Sequence, residues 1–509
     1  MERGGIATVS HASRTSYRTA SRLDPSLLSA AGVLACCATA SVLLATARLG
    51  HGPGAFAGAV SAIAIAIGTT AWCVYERTNR SRFAVAISPF GVAAVTWMVL
   101  FVLRPLELYF FPDHATLALG QLGFDSTALT SAVAVGGVGC AAWCLGYVAV
   151  LGRHGRRRAA LRYRSTPHWL LPVSVLAAGT LLWVALFVRE GGVHALLSSA
   201  VSLRADQRSS AYGFIGVWLV QGAGLCALTL VLCCDRCRTH AVRLTAVAAA
   251  LVAGAAAVAL QLRGLAVFAA ISALAIVVAV RRPRGRALLA GAGVTAALVV
   301  GLAFAQQVRA NTSRMTTTDA VRTAVRTPLW ADFASDLGTF DNLVAMRALV
   351  PASIPFLGGS TIREVPEALV PRSMWPEKPL GVDSRVASYL YPGVDVAVPI
   401  TVQGELYWNY DIAGVLFGAL LLGAAFGAVG RLGFRAPGTG AFLLYVTVIP
   451  FTHAFLTRGL AVMTENLVFA LIGVLLAAFA FGLRLRRPAP IGLRSGAPLM
   501  RPPQFEADA

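Results

Sequence analysis

Apolar residues do not alternate along this chain; they run. Apolar stretches recur from residue 26 to residue 483, at about 26–47, 53–75, 83–103, 127–151, 169–188, 214–233, 242–261, 265–280, 287–305, 412–430, 441–457 and 460–483. Most reach the roughly 18 residues that cross a hydrocarbon core of about 30 Å as a helix. Water is absent there, so every backbone N–H and C=O must be satisfied within the segment, and helices do this. The pattern predicts an all-α polytopic integral membrane protein with about twelve transmembrane helices.

Between the ninth and tenth runs the pattern breaks. Residues 306–411 are polar by comparison, and a structureless connection of that length is uncommon, so a small helical extracytoplasmic loop domain is expected. Within it, "ADFASDLGTFDNLVAMRALV" (331–350) spaces its apolar residues as a helix does, and Pro351 stops it. Residues 352–399, rich in proline and glycine, read as turns packed against the membrane surface. The expected organisation is a tail (1–25), nine transmembrane helices (26–305), the loop domain (306–411), three transmembrane helices (412–483) and a second tail (484–509).

Composition agrees: 57% of residues are hydrophobic and 13% charged, against roughly 25% charged in soluble domains. The net charge of +20 raises nucleic-acid binding as a question, and its distribution answers it. If both termini are cytoplasmic, the inside segments carry 27 lysines and arginines and the short outside segments 7. That is the positive-inside bias, from which long loops are exempt. The basic excess is thus a topology signal with some attraction to anionic headgroups, and no nucleic-acid partner is expected. The chain is expected to be a multi-pass protein of the cell membrane, with 306–411 outside. All nine cysteines lie in or beside apolar runs, which argues against a disulfide-stapled exterior. The turn "CCDRCRTH" (233–240) is too short to close four ligands tetrahedrally. Gly-rich phosphate loops, nucleophile elbows and histidine clusters are absent from the sequence, and neither a cofactor nor a metal is expected.

Charges at the apolar edge are costly and draw attention to themselves. Arg263, in "LQLRGLAVF", is isolated between two apolar runs. It reads either as a snorkelling arginine in a tight turn or as an anion-binding group at the rim of an outer cavity. Arg204, in "SAVSLRADQRSS", belongs to a short amphipathic stretch and is either an interfacial anchor or turned toward the same cavity. Arg309 is similarly placed after the ninth run. Arginine suits a pyrophosphate, because its planar fork binds two oxygens and stays charged. Among carboxylates, Glu405 in "TVQGELYWNYDIAG" and Asp341 are candidate bases, with Glu405 alternatively pairing with an arginine to hold the loop. His453, near the outer end of a run, reads as a packing residue, and Glu465 as a partner for Arg458.

"VPRSMWPEKPLG" (370–381) places three prolines and the charged residues Arg372, Glu377 and Lys378 beside Trp375. Proline fixes φ and stiffens the segment. Together with "FDNLVAMRAL", "GGS" and "GELYWNYDIAGVLFGALLLG", it resembles the oligosaccharide repeat-unit polymerases, the O-antigen polymerase family. The likeness lies in Pro371–Arg372, Trp375–Pro376 and Lys378–Pro379, in Gly404, Glu405, Tyr407 and Asn409, and in the GxxxG spacing of Gly414 and Gly418. The "LRG" turn at Arg263 looks like the family's membrane-rim arginine turn. The match covers about 330–425, with further likeness at 200–265, and departs at Tyr410 and Asp411, where relatives more often carry phenylalanine and glycine.

The resemblance implies a class C-like membrane glycosyltransferase architecture. It implies transfer of a glycan from undecaprenyl pyrophosphate to a second lipid-linked glycan outside the membrane. Membrane lipid, a flippase and a chain-length regulator are the partners it suggests. Arg263, with Arg204, Arg309, Arg372 and Lys378, would face the departing pyrophosphate, and Glu405 or Asp341 would take the hydroxyl proton. Trp375, Tyr407 and Trp408 would stack on sugar faces or anchor at the interface, with Asn409 beside them. A glycan ligase, a transporter and a passive envelope scaffold are the rival readings.

Overall fold

The structure is a computed structural model. It describes residues 25–49, 52–78, 82–116, 125–151, 170–189, 211–233, 240–259, 263–281, 329–370, 374–393, 397–434 and 439–481, with isolated positions between them. The described residues are 87% helical, with no strand among them. In chain order the helices are α1 (Pro25–Leu49), α2 (Gly52–Thr78), α3 (Pro89–Phe110), α4 (Ser126–Leu151), α5 (Leu170–Arg189), α6 (Ala211–Cys233) and α7 (His240–Ala259). They continue as α8 (Arg263–Arg281), α9 (Leu329–Leu349), α10 (Ser360–Glu367), α11 (Val382–Leu390), α12 (Val402–Phe434), α13 (Thr439–Thr457) and α14 (Leu460–Ala480). Six of them, α2, α3, α4, α6, α12 and α14, are long and apolar enough to cross a membrane. Shorter apolar stretches lie in α1, α5, α8 and α13. The cysteine turn at 234–239 falls outside the described residues, as do the tails up to residue 24 and from 484, and all of the run expected at 287–305 except Gly293, Val300, Gly301 and Phe304.

α4 is the central helix. Its sequence "STALTSAVAVGGVGCAAWCLGYVAVL" is apolar on every face, and nearly every residue from Leu129 to Leu151 is buried. A helix of that kind must be surrounded by others, and α1, α2 and α12 pack along it. Against α12 the backbones themselves touch. A Cβ built on Gly423 would lie 2.0 Å from the Trp143 carbonyl oxygen, one on Gly146 2.1 Å from that of Leu420, and one on Gly427 2.6 Å from that of Tyr147. Apolar side chains gain nothing by leaving lipid for protein, so close backbone approach and van der Waals contact hold such helices together.

Two helices depart from regularity, both near the site. In α3 a π-helical turn spans Val99–Leu103, and the Arg104 N–H reaches back five residues to the Val99 carbonyl. The cause is Pro105, which has no N–H to continue the regular ladder. α12 is two limbs. Tyr410 (φ −145°, ψ 31°) and Asp411 (φ 56°, ψ −157°) are non-helical, and the chain reverses there. The first limb folds back on the second. A Cβ on Gly414 would meet the Leu406 carbonyl at 2.4 Å, and one on Gly418 the Leu406 side chain at 2.4 Å. The run expected to begin at residue 412 is therefore the second limb, and the ten residues before it, taken from the sequence as loop, are mostly an additional buried helical limb.

Candidate functional site

The first limb of α12 organises the region. Every residue from Ile400 to Asn409 is buried, although Gln403, Glu405 and Asn409 are polar. The surrounding segments supply partners for much of the limb, while both polar atoms of the Gln403 side chain and Asn409 Oδ1 are buried without one among the described residues. The Tyr407 hydroxyl donates to the Val350 carbonyl (3.0 Å) and Trp408 Nε1 to that of Pro355 (3.2 Å). Asn409 Nδ2 donates to Thr361 Oγ1 (2.7 Å) and to the Glu405 carbonyl (2.8 Å). The Leu357 N–H reaches the Trp408 carbonyl at 2.9 Å, and Asn342 Nδ2 the Pro399 carbonyl at 2.8 Å. Gly359 (φ 85°) is required at the turn before α10, because a Cβ there would overlap the Tyr410 hydroxyl.

Glu405 is 0% exposed. Its Oε2 accepts the Leu460 N–H at 2.7 Å, so the carboxylate caps the first turn of α14 from across the fold. Helix N-termini carry unsatisfied N–H groups and a partial positive charge, and an anion suits both. Its Oε1 is buried without a closed hydrogen bond, with the Thr361 hydroxyl among its polar neighbours. A second buried carboxylate, Asp383 at the start of α11, lies next to it. Asp383 Oδ1 and Glu405 Oε2 come to 3.4 and 3.5 Å of the point a Cβ on Gly459 would occupy. Outside the spans, Glu364 of α10 is paired with Arg385 of α11. Burial pushes the Glu364 carboxyl up, and the Arg385 guanidinium pulls against that. In this arrangement Glu405 joins elements and does not reach a surface. Glu405→Gln keeps the shape but removes the charge at the helix terminus. We expect it to cost about 1–2 kcal/mol, read as a lower melting temperature in detergent and a lower yield. An unchanged melting temperature would remove the capping role.

Asp341 sits in a second buried network. Arg104 Nε and Nη2 donate to its two oxygens at 3.0 and 2.8 Å, and the Thr116 N–H adds a third bond at 3.0 Å. Arg104 Nη1 also reaches Glu107 (2.8 Å), and Nη2 the His114 carbonyl (2.9 Å). Arg104 is 1% exposed and Asp341 0%. Both Asp341 oxygens are thus engaged by a fixed cation, an arrangement suited to clamping α9 onto α3.

The remaining expected residues separate. Lys378 does not hang over a cavity; its Nζ donates to the Ala368 (2.8 Å) and Val370 (3.0 Å) carbonyls, closing the proline segment on itself. Trp375 is half-buried. Tyr407 and Trp408, 1% and 0% exposed, neither stack on a surface ligand nor anchor at a membrane interface, because the limb that carries them is interior. Arg204, Arg309 and Arg372 lie outside the described residues, as does the Arg263 side chain; the Arg263 backbone begins α8. His453 Nδ1 is 3.0 Å from the Thr96 hydroxyl.

Arg347 is the residue that sequence reasoning passed over. Its guanidinium lies 5.0 Å from the Tyr407 ring centroid, it has no ion pair among the described residues, and its Nε is buried without a partner. Stacking on a ring that is itself pinned to Val350 holds this cation in place. Its available signal was the scarcity of charge in "NLVAMRALV".

Comparison with protein-family models, curated proteins and solved structures gives no match.

Proposed function

We propose that this chain polymerises polyprenyl-pyrophosphate-linked oligosaccharide repeat units on the outer face of a bacterial cytoplasmic membrane. One observation carries the reading. The segments "FDNLVAMRAL", "GGS" and "GELYWNY", far apart in sequence, pack against one another, with Arg347 over the Tyr407 ring and the Tyr410 hydroxyl 3.4 Å from the Gly358 carbonyl. Twelve spans, cytoplasmic termini and an outer loop domain belong to the same reading, as do a flippase and a chain-length regulator as partners.

The reaction needs a site for a departing pyrophosphate and a group to take a hydroxyl proton. The acceptor hydroxyl oxygen attacks the anomeric carbon, the bond from that carbon to the pyrophosphate oxygen breaks, and the hydroxyl proton is taken up by the departing pyrophosphate. Arg347, over the Tyr407 ring and without an ion pair among the described residues, suits the developing charge on the leaving group, with Arg263 as the candidate named by sequence. The buried limb and the Arg104–Asp341 clamp hold that arginine's surroundings rigid.

Removing the gene tests the proposal. Single repeat units on undecaprenyl pyrophosphate are expected to accumulate on the outer leaflet, and the wild-type chain is expected to restore polymer. Finished polymer left on lipid would make the chain a ligase. Repeat units held on the inner leaflet would make it a transporter.

A further inference from the structure

The corner between the two limbs of α12 is poorly chosen for folding. Asp411, at φ 56° and ψ −157°, occupies a region of backbone space that is almost reserved for glycine. Its side chain is exposed, and among the described residues no hydrogen bond or ion pair to its carboxylate is recorded. Glycine would make the same turn without the steric conflict. A strained residue that repays nothing to its neighbours calls for a role outside the fold.

Its surroundings indicate which role. Tyr410 exposes 50% of its surface and Phe356 39%, both unusually open for aromatic residues this close to a packed core. Phe356 rests against the Tyr407 ring (centroids 6.0 Å apart, 69° between planes), so its position is fixed. Asp411 follows Tyr410 directly, and the Tyr410 hydroxyl meets the carbonyl of Gly358, two residues from Phe356, at 3.4 Å, which puts the corner and the exposed rings in one neighbourhood. A carboxylate accepts hydrogen bonds at two oxygens and donates none. Two neighbouring sugar hydroxyls satisfy both oxygens, while the C–H face of the sugar ring suits an exposed aromatic ring.

We propose that Asp411 is a specificity-determining contact for the glycan: its carboxylate accepts hydrogen bonds from hydroxyls of a sugar residue whose apolar face lies against Tyr410 and Phe356. This rests on the polymerase reading for the identity of the substrate, but its test does not require polymer to form. A site built around hydrogen bonds to hydroxyls discriminates strongly against a sugar that lacks them.

The test uses the full-length chain in its own membranes, with a benzophenone amino acid in place of Tyr410. Irradiation is expected to give an adduct that stains for carbohydrate. Asp411→Gly is expected to reduce that adduct at least tenfold while raising the melting temperature of the purified protein, since the corner is relieved. Asp411→Asn, which keeps one acceptor oxygen and the backbone conflict, is expected to retain an intermediate level. An adduct without carbohydrate, or a carbohydrate adduct undiminished by Asp411→Gly, would overturn the proposal. Loss of polymer on gene removal is scored separately, so failure of the polymerase reading and failure of the Asp411 contact are told apart.

Discussion

Arg104→Ala is expected to leave little folded protein. The substitution strands Asp341, 0% exposed, with one backbone N–H as its remaining recorded donor. Removing one partner of a buried pair typically costs about 3–5 kcal/mol, because the other charge stays in a medium that cannot solvate it. That is a large share of the roughly 5–15 kcal/mol by which a domain is stable. Arg104→Lys keeps the charge but not the fork that grips both oxygens, and an intermediate loss is expected. The informative variant replaces both partners by apolar residues of similar size, Arg104→Met with Asp341→Leu. It should recover most of the lost stability, since no charge remains buried. Size-exclusion profiles and melting curves in detergent read all three. If the double replacement is as damaged as Arg104→Ala, the bonds from Arg104 to Glu107 and the His114 carbonyl, and not the pair with Asp341, hold the junction.

The second large effect concerns a glycine. Gly423→Val puts a branched side chain where even a Cβ would lie 2.0 Å from the Trp143 carbonyl oxygen. Backbone cannot step aside as a side-chain tip can, so α4 and α12 must separate along their length. Overpacking commonly costs about 1–3 kcal/mol; here the upper end or beyond is expected, because Gly146 and Gly427 make the same contact within the same seam. Gly58 is the control. A Cβ there meets nothing within 4 Å, and Gly58→Ala is expected to leave melting unchanged. Equal behaviour of the two variants would mean that the backbones do not touch.

The apolar helices were legible, six of them long enough to cross a membrane, because a bilayer imposes one length and one composition on whatever crosses it. The start of the tenth run at residue 412 coincides with the chain reversal at Tyr410–Asp411. The limb before it was not legible. "VQGELYWN" mixes Gln403, Glu405 and Asn409 among apolar residues, which in isolation describes a loop, and its burial depends on partners about 50 residues away. Arg104 was passed over for a related reason. It sits at the end of a span, where an arginine ordinarily reaches for water, and nothing local reveals that Asp341 waits 237 positions later. The argument applied to the isolation of Arg263 applies equally to Arg104, and only the tertiary partner distinguishes a clamp from an anion site. Glu405 and Asp341, expected as candidate bases, are both buried and bonded to groups that hold elements of the fold together.

The reversed limb of α12 also dictates an order of assembly. Its three polar side chains cannot rest against lipid, so it cannot be seated while the chain is still being threaded into the membrane. Its partners are contributed by residues 350–361, already synthesised, and by Leu460, which is not. The carboxylate that caps α14 must wait for α14 to exist. A nascent chain released before that helix would hold every motif of the region and still lack the assembled unit, so α14, made after all of those motifs, is the element that completes it.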